Sequence, residues 1–196
     1  MRVWTIQPPE VLKIIEETGR FVCSKEKSQY YNDENFKGPY EWMVRKMIKN
    51  HHMMTPPQDT ELPIWGWVVH NGRYAKPSLD DIDLGIPGKK YVCIGLELHD
   101  HNILLSNEEW WHCVLNNDFL NIHTGRMYDE TEKWYDNLCP FMQNVIKIES
   151  WDNIFVHKND IITRYRYDHT MNKYVQATFW EIIKENIVSV EEFIAK

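Results

Sequence analysis

The residues best suited to chemistry in this 196-residue chain are aromatic rings at alternate positions of predicted strands. Trp65 and Trp67 lie two apart in residues 63–69, an apolar run rich in β-forming residues. Alternate residues of a strand point to the same side, so the two indoles should line one face of a central strand. Gly66 between them predicts an open position on the other face, suited to a neighbouring backbone or a ligand. Most of the aromatic rings are expected to fill the core, and a minority to form a stacking surface for a planar ligand, so this indole wall is either core or pocket.

Arginines supply the second kind of candidate group. In a strand, the run Arg164-Tyr165-Arg166-Tyr167 would place two guanidinium groups on one face, where they suit phosphate or carboxylate, and two rings on the other. The alternative is an exposed strand edge whose arginines pair with surrounding acids. Arg126, beside a glycine, is a further candidate anion contact. The residues predicted to contact a ligand are Trp4, Trp65, Trp67, Arg73, Arg164, Arg166 and Gln176.

Metal and nucleophile motifs are weaker. His99 and His101 flank Asp100, but no third ligand has diagnostic spacing, which favours a polar turn over a metal site. Residues 80–83 hold three aspartates without the Glu and Gly placement of a calcium loop. Dinucleotide-binding, P-loop and Gly-x-Ser-x-Gly motifs do not occur, and the four cysteines are widely spaced, which predicts reduced and mostly buried thiols. We therefore predict neither a metal nor a cofactor, while a Cys nucleophile with a His base stays open.

The elements that must position these residues mix helices and strands without regular alternation, which favours an α+β fold. We expect one compact domain over residues 1–196, in which helices pack on a mixed or antiparallel sheet. Strands are predicted at residues 3–7, 20–23, 63–69, 91–98 and 174–182. Helices are predicted after Pro8-Pro9, from Tyr40, after a capping box from Ser106 to Glu109, and within residues 129–148 with a second start at Pro140. Residues 24–37 are expected to form a loop, and Ile187, Val190 and Phe193 a short closing segment.

The net charge and the hydrophobicity of the chain limit the kinds of partner that we expect. A net charge of −7 counts against a non-specific nucleic-acid binder, because that affinity comes from Lys and Arg that neutralise phosphates. No apolar run reaches the roughly 20 residues that a spanning helix needs, and the first residues look like a strand, not a signal peptide. We therefore expect a cytoplasmic protein. We expect it to have neither a membrane nor a nucleic acid as its partner.

Four segments together resemble an uncharacterised bacterial and phage family that runs nearly the full length of the chain. The segments are Val3-Trp4-Thr5-Ile6-Gln7, Tyr40-Glu41-Trp42-Met43, Pro63-Ile64-Trp65-Gly66-Trp67 and Val175-Gln176-Ala177-Thr178-Phe179-Trp180. That family carries no assigned activity. The resemblance implies one intact domain and no particular function.

A second resemblance lies in the order of elements, which is similar to compact ADP-ribosyltransferase-like toxins. In those proteins a His or Arg on the first strand binds NAD, and a Glu on a late strand orients the ribose. The resemblance places these positions at Thr5 and at Gln176 or Thr178. Glutamine has no anionic form to stabilise an oxocarbenium-like transition state, so Glu181 is the carboxylate that keeps this activity open.

Three hypotheses for function follow. The first is a small protein that binds a nucleotide-like ligand, NAD-derived or a cyclic nucleotide, and sequesters it in phage or bacterial defence. The second is an ADP-ribosyltransferase-like or NAD-glycohydrolase-like enzyme, with Thr5, Gln176 and Glu181 as candidate catalytic residues. The third is an inhibitor of a partner protein that uses an exposed aromatic and acidic surface.

Overall fold

A six-stranded sheet is the centre of the fold in the computed structural model of the chain, which describes residues 1–28, 30–50, 55–80, 84–158 and 173–196. In chain order, the strands are β1 (Arg2–Gln7), β2 (Arg20–Val22), β3 (Ile64–Val69), β4 (Lys90–Glu97), β5 (Leu104–Asn107), β6 (Val175–Phe179), β7 (Glu181–Ile183) and β8 (Ile187–Ile194). The order across the large sheet is β5-β6-β3-β1-β4-β8, and β2 pairs with β7 in a small second sheet. Every strand pair among the described residues is antiparallel. The tryptophan-rich strand β3 is central, as predicted.

Helices, the first three of which pack on this sheet, complete the predicted α+β architecture of a single compact domain. They are α1 (Glu10–Thr18), α2 (Glu34–Asn50), α3 (Glu108–Leu115), α4 (Arg126–Asp136) and α5 (Pro140–Ser150). The predicted start of α1 is confirmed. The helix begins directly after Pro8-Pro9 and ends at Gly19, whose φ of 80° is left-handed and whose N–H donates to the carbonyl of Ile15.

One face of the large sheet packs against α1 and forms the main hydrophobic core. Its members include Val3, Ile64, Ile94, Phe179 and, from α1, Ile15. Gly66 also belongs to this face. A Cβ atom at Gly66 would lie 2.5 Å from Val3 Cγ1 and 3.1 Å from the carbonyl oxygen of Trp4, so the position is already filled by core and backbone.

The opposite face is covered in part by α2, α3 and a 3-10 turn at Trp151–Ile154. These elements enclose a second core cluster, which contains Trp42, Met43, Met47, Leu104, Trp111, Val114, Leu120, Trp151, Ile154 and Trp180. The cluster covers the region around Leu104 and Trp65, where β5 and β3 lie. The remaining part of this face is the one that holds the candidate site.

Two predicted helix starts were wrong. The loop expected up to residue 37 ends earlier, since α2 begins at Glu34 and runs through Gly38-Pro39. The side chain of Asp33 accepts a hydrogen bond from the N–H of Asn35 at 3.0 Å, so it starts the helix well before the Gly-Pro pair. At α3 the N-cap is Asn107, not Ser106, because β5 continues through Asn107.

Near the C-terminus, the predicted strand 174–182 is divided at Trp180 between β6 and β7, which belong to different sheets. The predicted short closing segment is the eight-residue edge strand β8, in which Val190 is 46% exposed and not packed in the core. His99 precedes a 3-10 turn at Asp100–Asn102, the polar turn that the spacing favoured.

None of the helices in the described part of the chain is long and apolar enough to cross a membrane. Likewise, the described ranges contain no group of three or more His, Cys, Asp or Glu side chains that could hold a metal ion.

Candidate functional site

A single row of residues crosses the second face of the sheet from edge to edge. In strand order from β5 to β8, the row is Ser106, Gln176, Trp67, Trp4, Gly95 and Ser189. Residues directly opposite each other in adjacent strands project to the same side of a sheet. The row therefore brings three predicted ligand contacts, Trp4, Trp67 and Gln176, next to one another.

The two indoles belong to a group of five partly exposed rings that we call the aromatic shelf: Trp4, Trp67, His70, Tyr74 and Tyr174. The ring of Trp67 contacts His70 at 4.9 Å and Tyr174 at 6.2 Å, and that of Trp4 contacts Tyr74 at 6.2 Å, all edge-to-face. Among the residues that the structure describes, no ring lies parallel to either indole. A planar ligand thus has partly exposed ring faces on which to stack.

A turn after β3 places two rings of the shelf. Asn71 and Gly72 have φ values of 49° and 70°, and the backbones of His70 and Arg73 exchange hydrogen bonds of 2.9 and 3.1 Å. Two consecutive positive φ angles are typical of a tight hairpin turn, which the Asn-Gly pair predicted. The N–H of Gly72 donates to the carbonyl of Lys173 at 2.8 Å, and this bond holds the turn beside Tyr174.

Gly95 of the neighbouring strand lies against the indole of Trp4. A Cβ atom at Gly95 would be 3.4 Å from both Cδ1 and Nε1 of Trp4 and 2.3 Å from Ser189 Oγ. The pyrrole edge of the indole therefore lies over the backbone of β4. At 3.4 Å such a Cβ would still be in ordinary van der Waals contact with the indole, so its one clash would be with the hydroxyl of Ser189.

Polar groups stand at the β5 end of the row. Ser106 is fully buried, and its Oγ has no hydrogen-bond partner among the described residues. A buried polar group that lacks a partner costs about 1–3 kcal/mol. Gln176, its partly exposed neighbour in the row, adds an amide that can both donate and accept. Of these two groups, the amide of Gln176 is the one that a ligand beside the rings can reach, since the hydroxyl of Ser106 is fully buried.

Cationic groups lie at the rim. Arg73 is exposed and makes no ion pair with any residue that the structure describes. Arg2 donates from its backbone N–H to the hydroxyl of Tyr74 at 2.8 Å, while its Nε donates to Glu97 at 3.0 Å. This hydrogen bond from Arg2 lowers the pKa of Glu97. Because Glu97 neutralises Arg2, Arg73 is the better candidate for contact with an anionic group.

The other predicted contacts lie elsewhere. Trp65 is on the same face of the sheet but packs in the second cluster, with its ring 4.7 Å from that of Trp111 and 6.4 Å from that of Tyr40. Arg126 lies on α4 and donates to Glu130. Arg164 and Arg166 lie outside the described residues, as do Asp81 and Asp83 of the aspartate-rich segment.

The three candidate catalytic residues are not brought together. Thr5 is fully buried on the opposite face from Gln176, and its hydroxyl donates to the carbonyl of Trp65 and accepts from Gln7 Nε2, both at 2.7 Å. Glu181 lies in the small second sheet, where it forms an ion pair with Arg20 at 3.5 Å. No common ligand can reach Thr5 and Gln176 from one side of the sheet.

A separate cleft of about 370 Å³ lies beside β5. It is lined by Met1, Asp100, Ile103, Leu104, Leu105, Phe155, Val156, His157 and Lys158, none of which belongs to the shelf. Two opposite charges in its lining, those of Asp100 and Lys158, are paired with each other. This cleft therefore presents no unpaired charge from those two residues to a ligand.

Sequence reasoning missed four members of the site. His70 and Tyr74 flank the Asn-Gly turn that was recognised only as a turn, and Tyr174 precedes β6. Ser106 was interpreted as a helix cap. The useful signal was the density of aromatic residues next to predicted strand ends, which is where side chains of neighbouring strands meet.

Comparisons with known proteins identify a family and no relative of established activity. The family model described as Domain of unknown function (DUF3841) matches residues 2–188. The expected membership of an uncharacterised family is thereby confirmed. No curated protein and no solved structure matches the chain. The likeness to ADP-ribosyltransferase-like folds receives no support.

Proposed function

The chain belongs to the DUF3841 family, a domain of unknown function, and we propose that it binds a nucleotide-like ligand on the aromatic shelf. The observation that supports this proposal most is the row in which Trp4, Trp67 and Gln176, all partly exposed, stand side by side on the part of the sheet that none of the described helices covers. The ligand class is an NAD-derived nucleotide or a cyclic nucleotide.

Each part of such a ligand has a matching group. A base stacks on Trp67 or Trp4, a contact worth about 1–3 kcal/mol per base in proteins that bind single strands. The amide of Gln176 hydrogen-bonds a base edge or a ribose hydroxyl, since it offers both a donor and an acceptor. The guanidinium group of Arg73 binds phosphate at the rim. With a net charge of −7, the protein relies on this local cation and not on its overall field.

The proposed role is sequestration of a signalling nucleotide, as in phage or bacterial defence, without its turnover. The separation of Thr5, Gln176 and Glu181 supports binding over catalysis, because a catalytic set has to converge on one reacting centre. The transferase-like or glycohydrolase-like activity stays a prediction, as does inhibition of a partner protein.

A thermal-shift screen tests the proposal. The purified protein is heated with NAD, ADP-ribose, cyclic forms of ADP-ribose and cyclic dinucleotides, and each incubated ligand is then examined by mass spectrometry. A ligand at about a hundredfold its Kd should stabilise the fold by about 2.7 kcal/mol. Stabilisation with an unchanged ligand supports sequestration, and a cleaved ligand supports the enzyme hypothesis. The absence of any shift across the panel counts against a nucleotide site.

A further inference from the structure

Helices α4 and α5 contribute few buried side chains to the described part of the fold. No residue of α4 is buried, and Ser150 is the one buried residue of α5. The large apolar side chains exposed on these helices are Met127, Tyr128, Trp134, Phe141, Met142 and Ile148. A helix of a globular protein normally packs its apolar stripe on the core, and a concentration of exposed apolar side chains marks an interaction surface.

Helix α4 is nevertheless held firmly on one side. The ring of Tyr135 stacks on that of Phe119 at 4.2 Å with an interplanar angle of 6°. Asn121 Nδ2 donates to Glu132 Oε1 at 2.7 Å and to the carbonyl of Tyr128 at 3.1 Å. These contacts fix the rotation of α4 about its own axis. The side chains on the exposed side of the helix, next to the packed side, therefore point in a defined direction.

That neighbouring surface carries an apolar stripe with charges beside it. Met127 and Trp134 are 58% and 50% exposed and lie seven residues apart, which is two helical turns along the same stripe. Glu130 and Lys133 lie on one flank of the stripe, and both are exposed. The midpoint of Met127 and Trp134 falls between residues 130 and 131, within one residue of the midpoint of Glu130 and Lys133. The pattern is therefore almost the same when α4 is read in either direction.

We propose that α4 packs antiparallel against α4 of a second copy of this chain, about a twofold axis near residues 130–132. In this arrangement Met127 meets Trp134 of the second copy, and Glu130 meets Lys133 of the second copy. Twofold symmetry repeats each contact. Antiparallel helices also bring opposite ends of their dipoles together.

Charge complementarity selects the second copy as the occupant. Two molecules that each carry a net charge of −7 repel one another unless the contact surface pairs opposite charges. The flank of α4 pairs opposite charges with the same flank of the second copy. Glu130 of each copy meets Lys133 of the other across the axis. The present partner of Glu130 is Arg126 at 2.6 Å, in an exposed pair that contributes little to stability and is easily shared.

The size of the surface indicates a reversible dimer. The eleven residues of α4 span about 16 Å at 1.5 Å per residue. A stable interface commonly takes about 800 Å² from each partner, more than one short helix provides. We therefore expect association that depends on protein concentration over the micromolar range.

A charge swap tests the proposal by analytical ultracentrifugation of the full chain. Glu130→Lys and Lys133→Glu each replace two attractive pairs by two repulsive pairs, so each variant alone should dimerise with a Kd raised about tenfold or more. An equimolar mixture of the two restores both attractive pairs and should dimerise with a Kd near that of wild type. The double variant, in which both charges are exchanged, should do the same.

Matched controls are available on α1. Lys13 and Glu17 are an exposed i,i+4 pair, and Glu17→Lys and Lys13→Glu make the same changes in net charge away from α4. Both controls should dimerise as wild type does. Recovery in the mixture also shows that each single variant is folded. Trp134→Glu, which puts a charge into the stripe, should be monomeric at every concentration used. A wild-type protein that stays monomeric, single variants that dimerise like wild type, or a mixture that does not recover would each overturn the proposal.

Discussion

At the scale of single residues, two glycines of the sheet show why the same residue type carries different constraints. Gly66 faces the main core, where an added Cβ would meet Val3 at 2.5 Å and the Trp4 carbonyl at 3.1 Å. Gly95 faces the shelf, where the nearest obstacle is the hydroxyl of Ser189. A backbone carbonyl cannot move aside, whereas a serine hydroxyl changes rotamer at small cost.

Gly66→Ala should therefore destabilise the fold by about 1–3 kcal/mol, the usual cost of overpacking a core. Gly95→Ala should cost clearly less. Urea denaturation of both variants measures the difference. Equal costs would contradict the assignment of the two glycines to different faces.

The cysteines should differ in reactivity because they differ in burial. Burial raises the pKa of Cys23 and of Cys93 to about 11, and it also raises the pKa of Cys113. The thiolate is the nucleophile, so at pH 8 these thiols react slowly. Cys139 is exposed, and it should be alkylated first by iodoacetamide, as followed by peptide mass spectrometry. Modification of Cys93 before Cys139 in the folded protein would contradict the burial described for β4.

At the scale of elements, sequence patterns predicted most strands and helices, and they failed where two signals competed. The Gly38-Pro39 pair suggested the end of a loop, yet Asp33 starts α2 before that pair. The Ser106-to-Glu109 pattern suggested a capping box, but the preference of β5 for pairing with β6 places Ser106 in the sheet. The short Ile-rich end suggested a closing segment, and pairing with β4 makes it a full strand.

The true cap of α3 can be tested. Asn107 Oδ1 accepts a hydrogen bond from the N–H of Trp110 at 3.0 Å, so Asn107→Ala should lower the free energy of unfolding by about 1 kcal/mol. The comparison is Ser106→Ala, which removes a hydroxyl without a described hydrogen-bond partner and should cost less. Thermal unfolding of the two variants decides between the caps. A larger loss at Ser106 would restore the original prediction.

At the scale of the whole molecule, the site depends on contacts between segments far apart in the chain. The shelf takes Trp4 from β1, Trp67 from β3, two rings from the following turn and one from the start of β6. Alternation along each strand predicted which residues share a face. It could not show that Trp65 packs against rings of α2 and α3 while Trp67 contacts His70 and Tyr174, because that depends on where the helices and the turn dock. Alternation also could not show that the candidate catalytic residues lie apart, because the order of the strands is set by pairing between distant segments.

The central claim is that the shelf itself binds the ligand, and calorimetric titration of site variants tests it most directly. The best ligand from the thermal-shift screen is titrated into wild type, Trp67→Ala and Tyr30→Ala, a control that removes an exposed ring outside the shelf. If the base stacks on Trp67, its loss should raise Kd about tenfold, equivalent to about 1.4 kcal/mol, while Tyr30→Ala binds as wild type does. Unchanged affinity in both Trp67→Ala and the corresponding Trp4→Ala variant would contradict the claim and place the ligand elsewhere on the molecule.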